Sequence, residues 1–116
     1  MDDLLVEQVL RCVELVPAGH VVSYGDVAAV VGTGPRQVGA VMAAWGHEVA
    51  WWRVTTATGG LRPDLLARAL PHWVNEGITL RPHGRGCRIE RHRPDLGALA
   101  AAWAEAAADL PPRGSA

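Results

Sequence analysis

Cysteine is scarce in this chain, and its two copies are poorly placed for a metal site or a disulfide framework. Cys12 and Cys87 stand 75 positions apart, with no CxxC pair and no neighbouring histidine. The five histidines never fall four residues apart, the spacing that places two metal ligands on one helical face. We therefore expect two small buried thiols, and neither a metal ion nor another cofactor.

Long hydrophobic runs and a signal sequence are also missing. No apolar stretch approaches the roughly 18 residues of a membrane span, and residues 1–10, MDDLLVEQVL, open on acids where a signal peptide would carry basic residues. The 116 residues, 49% of them hydrophobic, suffice for one domain with a modest core. We expect a cytoplasmic protein with no membrane partner.

Lysine is absent, so all 11 basic residues are arginines, and they are unevenly distributed. The net charge is −1 overall, but it is −4 over residues 1–30, +5 over residues 31–93 and −2 over residues 94–116. The absence of lysine by itself indicates only a coding bias. The basic middle segment, in contrast, leaves room for a polyanionic partner that the overall net charge conceals.

The first half of the chain predicts three helices. Apolar residues recur at helical spacing from Asp2 to Val16. Ser23 stands three residues before Asp26, a variant of the capping box that starts a second helix. After a glycine-rich break, Pro35 suits the first position of a third helix, whose predicted buried face consists of Val38, Val41, Met42 and Trp45.

Two short helices joined by a tight glycine turn are typical of a helix-turn-helix. The other face of the third helix carries small residues, among them Gly39 and Ala40, behind one long cation, Arg36. Gly39 costs about 1 kcal/mol in a helix interior. Because small side chains let a helix backbone approach a surface or a narrow groove closely, this face is a candidate binding surface.

The second half of the chain predicts shorter elements. We expect an extended stretch around Trp51-Trp52, whose side chains then point to opposite sides, and a helix over residues 65–76. Two short strands, residues 78–80 and 87–89, should form an arginine-tipped hairpin, or wing. The fold class is therefore mainly α, a winged-helix-like helix-turn-helix domain with a short β-hairpin. Residues 1–93 form this domain, and residues 94–116 form a C-terminal helix and a disordered tail.

Three motifs in order resemble the DNA-binding domain of the O6-alkylguanine-DNA alkyltransferases. They are VSYGDVA at residues 22–28, GPRQVGAVM at residues 34–42 and WWRV at residues 51–54. The resemblance covers roughly residues 2–93. The Ser-Tyr pair and the Arg-x-Val-Gly-x-x-Met helix are its most specific parts.

This chain departs from the enzymes at their reactive motif, Pro-Cys-His-Arg. The corresponding residues are Ala50, Trp51, Trp52 and Arg53. Alkyl transfer needs a thiolate and a base to activate it, and an indole supplies neither. The resemblance therefore implies a protein that is not an enzyme, similar to the alkyltransferase-like proteins, in which tryptophan replaces the cysteine. Those proteins usually keep the proline and the histidine, and an asparagine that is Thr55 or Thr56 here.

The resemblance also implies roles for individual residues. The recognition helix would enter the minor groove, Arg36 would fill the gap left by a flipped nucleotide, and Tyr24 would crowd the phosphate. The implied DNA-binding residues are Ser23, Tyr24, Pro35, Arg36, Gly39 and Ala40. The implied lesion pocket consists of Tyr24, Trp51, Trp52, Arg53 and Arg62, although no motif places Arg62.

Each of these residues also fits a structural role when taken alone. Tyr24 could be a half-buried residue at a helix start, either tryptophan could belong to the core, and Arg36 could be solvated. Their joint order favours the functional interpretation. It implies a monomer that binds O6-alkylguanine in double-stranded DNA and flags it for nucleotide-excision repair proteins. The alternative is a helix-turn-helix regulator without lesion specificity.

Overall fold

The computed structural model describes residues 2–113, which form five α-helices and two short strands and confirm the mainly helical fold class. In chain order the elements are α1 (Asp3–Glu14), β1 (Val22–Ser23), α2 (Tyr24–Val31), α3 (Pro35–Trp45), β2 (Val54–Thr55), α4 (Pro63–Glu76) and α5 (Leu96–Ala106). Three turns of 3-10 helix, at Gly46–Glu48, Trp51–Arg53 and Ile89–Arg91, connect them. Among residues 2–113, no helix has the length and apolar character needed to cross a membrane.

Local sequence signals set the boundaries of α2 and α3 as expected. The Ser23 hydroxyl accepts from the Asp26 N–H, and the Asp26 carboxylate accepts from the Ser23 N–H, so both halves of the capping box are present. Gly32 ends α2 in the left-handed region at φ +83°, and Pro35 opens α3. The helix-turn-helix predicted from the glycine break is confirmed.

The buried face of α3 is narrower than its sequence predicts. Val38 and Val41 are fully buried, and Met42 is half-buried. Trp45, expected on the same face, is 41% exposed, because it lies in the last turn of the helix, just before the chain turns away at Gly46. That expectation was wrong.

The side chains pack into two hydrophobic clusters. The larger one joins α1, α2, α3, the two strands and, through Leu99, α5. The smaller one surrounds Trp73 of α4, which is fully buried together with Cys87 and Ile89. Helix α5 thus packs on α1 and α2 in the same core, while residues 114–116 of the expected disordered tail lie outside the described residues. The proposed boundary between residues 93 and 94 stays a prediction.

The two strands pair in parallel, with Val22 opposite Val54 and Ser23 opposite Thr55. All four of these residues are buried. The pairing fixes the start of α2, at Tyr24, beside the segment that follows Trp51-Trp52-Arg53. It therefore brings together two motifs that are separated by about 25 residues along the chain.

The wing differs from the predicted hairpin, because its two strands do not form within residues 78–89. The chain does fold back, with one antiparallel bridge between Leu80 and Cys87 and a turn at its tip. The second arm of this hairpin also hydrogen-bonds to another turn, since the Cys87 N–H donates to the Gly59 carbonyl. Gly59 has φ +86°, and a Cβ there would collide with the Cys87 carbonyl oxygen. Residues 89–91 form 3-10 helix instead of strand.

The segment Trp51–Arg53 is also not extended as expected. It forms a single turn of 3-10 helix, in which the Arg53 N–H donates to the Ala50 carbonyl. The indole of Trp73 donates a hydrogen bond of 2.7 Å to the Trp52 carbonyl oxygen and so holds this turn on α4. Because a 3-10 turn does not alternate sides, the rings of Trp51 and Trp52 meet edge to face, with centroids 5.8 Å apart.

Candidate functional site

A cavity of about 260 Å³ lies between α3 and the start of α4. This volume is close to the lower end of the range of roughly 300–1,000 Å³ typical of small-ligand pockets. Eleven residues line it: Tyr24, Gly39, Met42, Ala43, Gly46, His47, Trp51, Leu61, Arg62, Leu65 and Arg68. The lining combines apolar walls with two arginines and contains no acidic residue.

The cavity joins the two hydrophobic clusters. Tyr24 packs against the larger cluster, while Trp51 and Leu61 pack against the smaller one. The parallel pairing of β1 with β2 fixes the distance between these walls, since Tyr24 follows β1 directly and Trp51 precedes β2 by three residues. The site is therefore built on paired backbone rather than on a free loop.

Helix α3 supplies one wall through its small-residue face. Gly39, Ala43 and Met42 line the cavity, while Arg36 and Ala40 lie exposed on the same helix. A Cβ at Gly39 would meet no atom within 4 Å, so packing within the described residues does not explain this glycine. Gly39 lowers the stability of the helix, and its missing side chain leaves open space beside the cavity.

Gly46, just after α3, lets Trp51 pack closely against the end of this helix. Gly46 is buried, and a Cβ added to it would lie 3.6 Å from the Trp51 Cβ and 3.2 Å from the Met42 Cε. A larger residue at position 46 would therefore crowd both neighbours. The close approach places the half-buried Trp51 side chain on the cavity wall.

Tyr24 is half-buried at the first position of α2. Burial raises the pKa of its hydroxyl, and the nearby charge of Arg62 opposes that rise. Tyr24 therefore stays a neutral phenol near neutral pH, able to donate a hydrogen bond. Tyr24 and Arg62 both line the cavity.

Two arginines stand at the cavity in different surroundings. Arg62 is highly exposed and makes a long ion pair of 3.3 Å with Asp64. Arg68 places its guanidinium carbon 5.4 Å from the centroid of a Trp51 ring, a cation–π arrangement. The two cations give the cavity mouth a positive potential.

Trp52 and Arg53, both expected in the pocket, do not line the cavity. Trp52 stacks on His72 with centroids 3.6 Å apart, and its Nε1 donates to Glu76 at 2.8 Å. Arg53 donates to both oxygens of Glu76 and to the Val16 carbonyl. The Glu76 carboxylate on α4 therefore binds both side chains outside the cavity.

Glu76 is the centre of this second cluster. Its side chain is 8% exposed and also accepts from the Gly19 N–H at 2.9 Å. Burial alone would raise the pKa of Glu76, but hydrogen bonds from Arg53, Gly19 and Trp52 and the charge of Arg53 lower that pKa to about 2. Glu76 is thus a fixed anion that fastens the Trp51–Arg53 turn to α4.

Both cysteine thiols are buried, as expected, and lie outside the lining of the cavity. Cys12 is fully buried in α1, and burial raises the pKa of its thiol to about 12. Cys87 is fully buried in the smaller cluster, where burial raises its pKa to about 11. Neither thiol lines the cavity, and each is held in its protonated form, which is a poor nucleophile.

Among the predicted site residues, the structure brings Tyr24, Gly39, Trp51 and Arg62 to one cavity. Ser23 is buried as the cap of α2, while Pro35, Arg36 and Ala40 lie exposed along α3. The sequence reasoning missed several lining residues and the whole anchoring cluster around Glu76. The lining residues are Met42, Ala43, Gly46, His47, Leu61, Leu65 and Arg68. Only the helical spacing of Leu65 and Arg68, three apart, could have placed those two on one face.

Comparisons with known proteins agree with this architecture. The chain is similar to S. pombe Atl1, solved in complex with damaged DNA containing O6-carboxymethylguanine, with a TM-score of 0.71 and 24% identity. It is also similar to S. pombe ATL in complex with DNA, with a TM-score of 0.69 and 26% identity. Each match covers 82% of this chain and 98% of the other. No curated protein matches the sequence.

The sequence also matches a model of a protein family. The family model described as the DNA-binding domain of 6-O-methylguanine DNA methyltransferase matches residues 5–73. That range contains most of α1, all of α2 and α3, both strands and most of α4. It includes the cavity-lining residues of α3 and the Trp51–Arg53 turn. The chain belongs to this family of DNA-binding domains.

Proposed function

We propose that this protein recognises O6-alkylguanine in double-stranded DNA without repairing it. The observation that carries the proposal is the position of Trp51. By the resemblance of its motif it takes the place of the enzymes' reactive cysteine, and it lines a cavity beside the small-residue face of α3. An apolar indole at that position can hold an alkyl group but cannot accept it.

Docking follows from the shape of α3. The exposed Ala40 and the uncrowded Gly39 let the helix backbone approach DNA closely. A narrow minor groove suits such a face, because small side chains let the helix backbone come close to the groove. Arg36, exposed in the first turn of α3, then lies beside the duplex and can fill the space of a nucleotide that has left it.

Nucleotide flipping supplies the selectivity. Extruding a base costs a few kcal/mol, and less when the base is damaged and poorly paired. Tyr24 lies between the strand pair and the cavity, where its neutral hydroxyl can meet the phosphate of the flipped nucleotide. The extruded base would enter the cavity with its O6 substituent against Trp51.

The biological output would be a flag for nucleotide-excision repair, as the resemblance to the alkyltransferase-like proteins implies. A protein that binds a lesion without reacting leaves its removal to other proteins. The monomeric state and the cytoplasmic location expected from the sequence stay predictions.

A binding titration tests the proposal. Duplexes that differ only by one guanine or one O6-methylguanine are titrated with the protein and followed by fluorescence anisotropy. We expect tighter binding of the duplex with O6-methylguanine. Equal affinities would favour a helix-turn-helix regulator without lesion specificity, and no binding to either duplex would refute both functions.

A further inference from the structure

We propose that Arg68 selects O6-alkyl groups that end in a carboxylate over neutral groups of the same size. This inference rests on the proposed function and names a ligand class for the same cavity. It concerns one side chain of α4 that the sequence motifs do not single out.

The position of Arg68 is the first step. Its guanidinium carbon lies 5.4 Å from a Trp51 ring centroid, so the cation borders the wall that would face an alkyl group. A substituent of one methylene and a terminal group, resting on Trp51, ends beside this guanidinium. Guanidinium groups bind carboxylates through two parallel N–H donors, a geometry that a neutral amide cannot match in full.

The electrostatic surroundings are the second step. None of the residues lining the cavity is acidic, and within residues 2–113 no carboxylate lies in ion-pair contact with Arg68. Arg62, the other cation at the cavity, already has Asp64 at 3.3 Å. Arg68 has no such partner among the described residues, so its charge is fully available to a ligand.

The stacking on Trp51 is the third step. An arginine held over an aromatic ring loses less conformational freedom when it binds an anion than a free surface arginine does. The alternative ligand for the same guanidinium is a DNA phosphate. A phosphate contact would contribute equally to every duplex, whereas a contact to the adduct contributes only where a carboxylate is present.

The test compares two duplexes that differ in one functional group. One contains O6-carboxymethylguanine, and the other contains O6-carbamoylmethylguanine, which is neutral and nearly the same shape. We expect the wild-type protein to bind the carboxylate adduct about fivefold more tightly than the amide adduct. The preference should weaken as the salt concentration rises, beyond the loss of affinity that both duplexes share.

Two variants with the same change of charge locate the effect. Arg68→Gln should bring the ratio of the two affinities to about one, while Arg91→Gln, which changes an exposed arginine that does not line the cavity, should leave the ratio intact. Arg68→Lys should keep part of the preference, since a lysine retains the charge without the fork. Far-UV circular dichroism confirms that each variant is folded.

The outcomes separate this inference from the proposed function. If both adducts bind more tightly than guanine but with equal affinity, the carboxylate preference is wrong and lesion recognition stands. If Arg68→Gln weakens all duplexes equally and leaves the ratio unchanged, Arg68 binds a phosphate and the inference is overturned. If neither adduct is preferred over guanine, the proposed function itself fails.

Discussion

The Trp52 indole donates a hydrogen bond of 2.8 Å from its Nε1 to Oε2 of Glu76. The related enzymes carry a histidine at the position of Trp52, and a histidine can exchange protons where an indole only donates. Every partner of Glu76 in this cluster is likewise a donor: Trp52, Arg53 and the Gly19 N–H. The arrangement anchors the turn that carries Trp51, and these donors occupy the carboxylate of Glu76.

The Glu76 cluster gives a prediction for stability. Glu76→Gln should lower the free energy of unfolding by on the order of 3 kcal/mol at neutral pH, because it removes the anion that neutralises Arg53, whose side chain is 17% exposed. Chemical denaturation measures this loss. As a control, Asp64→Asn breaks an ion pair whose side chains are 71% and 68% exposed, and its effect should stay below about 1 kcal/mol.

The same cluster predicts a pH dependence. The pKa of Glu76 is about 2 in the folded protein and higher in the unfolded chain, so its contribution is complete above the ordinary carboxyl pKa and is lost as the pH falls towards 2. The free energy of unfolding should therefore decrease between about pH 5 and pH 2 more steeply for the wild type than for Glu76→Gln. Parallel pH profiles would contradict the assignment.

A substitution at Gly39 should change protein stability and DNA affinity in opposite directions. Gly39→Ala should stabilise the protein by about 0.5–1 kcal/mol, because alanine is the better helix former and its Cβ meets no atom within 4 Å. The same methyl group would stand between α3 and a DNA groove, so affinity for duplex DNA should fall. Thermal melting and anisotropy measure the two effects.

A second glycine-to-alanine change controls for effects away from the cavity. Gly97→Ala alters a glycine in the first turn of α5, where a Cβ would lie 3.3 Å from the Asp95 Oδ1, and it should leave DNA affinity unchanged. If Gly39→Ala binds DNA as well as the wild type does, the small-residue face of α3 is not in the interface.

The absence of alkyl transfer is a fourth prediction. Intact-mass analysis after incubation with O6-methylguanine DNA should show no gain of a methyl group by the wild type or by Trp51→Cys. In the variant the residue after the new thiol would be Trp52, which cannot act as a base, while the imidazole of His72 is stacked on the Trp52 ring. The thiolate fraction should therefore stay low. A stoichiometric mass gain in the wild type would refute the non-enzymatic interpretation.

The double variant Trp51→Cys/Trp52→His tests the reason given. A histidine at position 52 could donate one ring nitrogen to Glu76, as Trp52 does, and use the other as a base. We expect a methyl mass gain in the double variant, slower than in the enzymes because Ala50 replaces their proline. Transfer by Trp51→Cys alone would show that the base at position 52 is dispensable.

Arg36 gives a prediction about the flipped state. Arg36→Ala should weaken binding to plain and alkylated duplexes alike, by about tenfold, since the side chain would stabilise the opened stack whichever base leaves it. Arg36→Lys keeps the charge and serves as the control. It should retain the salt dependence of the wild type but only part of its affinity. Unchanged affinity in Arg36→Ala would remove the flipping model.

The parts of this structure that could be predicted from the sequence are governed by local interactions. The Ser23–Asp26 capping box and Pro35 at the start of α3 involve neighbours in the chain, and both are confirmed. The parallel pairing of β1 with β2 joins residues 32 positions apart, and no two-residue strand shows a period in the sequence. The tertiary bond from Trp73 to the Trp52 carbonyl likewise overrides the extended conformation expected for that segment.

The residues of the candidate site also fall into two groups, those that a local motif predicts and those that only tertiary packing brings into place. Motif order named Tyr24, Gly39 and Trp51, because each belongs to a string of neighbouring residues. Arg68 and Glu76 belong to no such string, and only the packing of α4 on the tryptophan turn brings them into place. The position of Trp52 outside the cavity has the same cause, since its partner Glu76 lies 24 residues further along the chain.

The last prediction assigns the selectivity for damaged guanine to Trp51. Plain and alkylated guanine share the phosphates, the groove and Arg36, so these contacts cannot distinguish the two bases. The cavity wall can, because an indole against a flipped base contributes on the order of 1–3 kcal/mol and a larger alkyl group gains more from burial. Trp51→Ala should therefore reduce the preference for O6-alkylguanine by about tenfold or more and leave affinity for undamaged duplex nearly unchanged.

Three comparisons make the prediction on Trp51 specific. Trp45→Ala removes an indole that is 41% exposed and does not line the cavity, and it should leave the preference intact. Lesion binding should change the tryptophan fluorescence of the wild type, and Trp51→Phe should diminish that change. If Trp51→Ala instead abolishes the cooperative thermal transition, Trp51 belongs to the core that it borders, and Trp51→Phe, which keeps an aromatic ring in place, then measures its part in the preference.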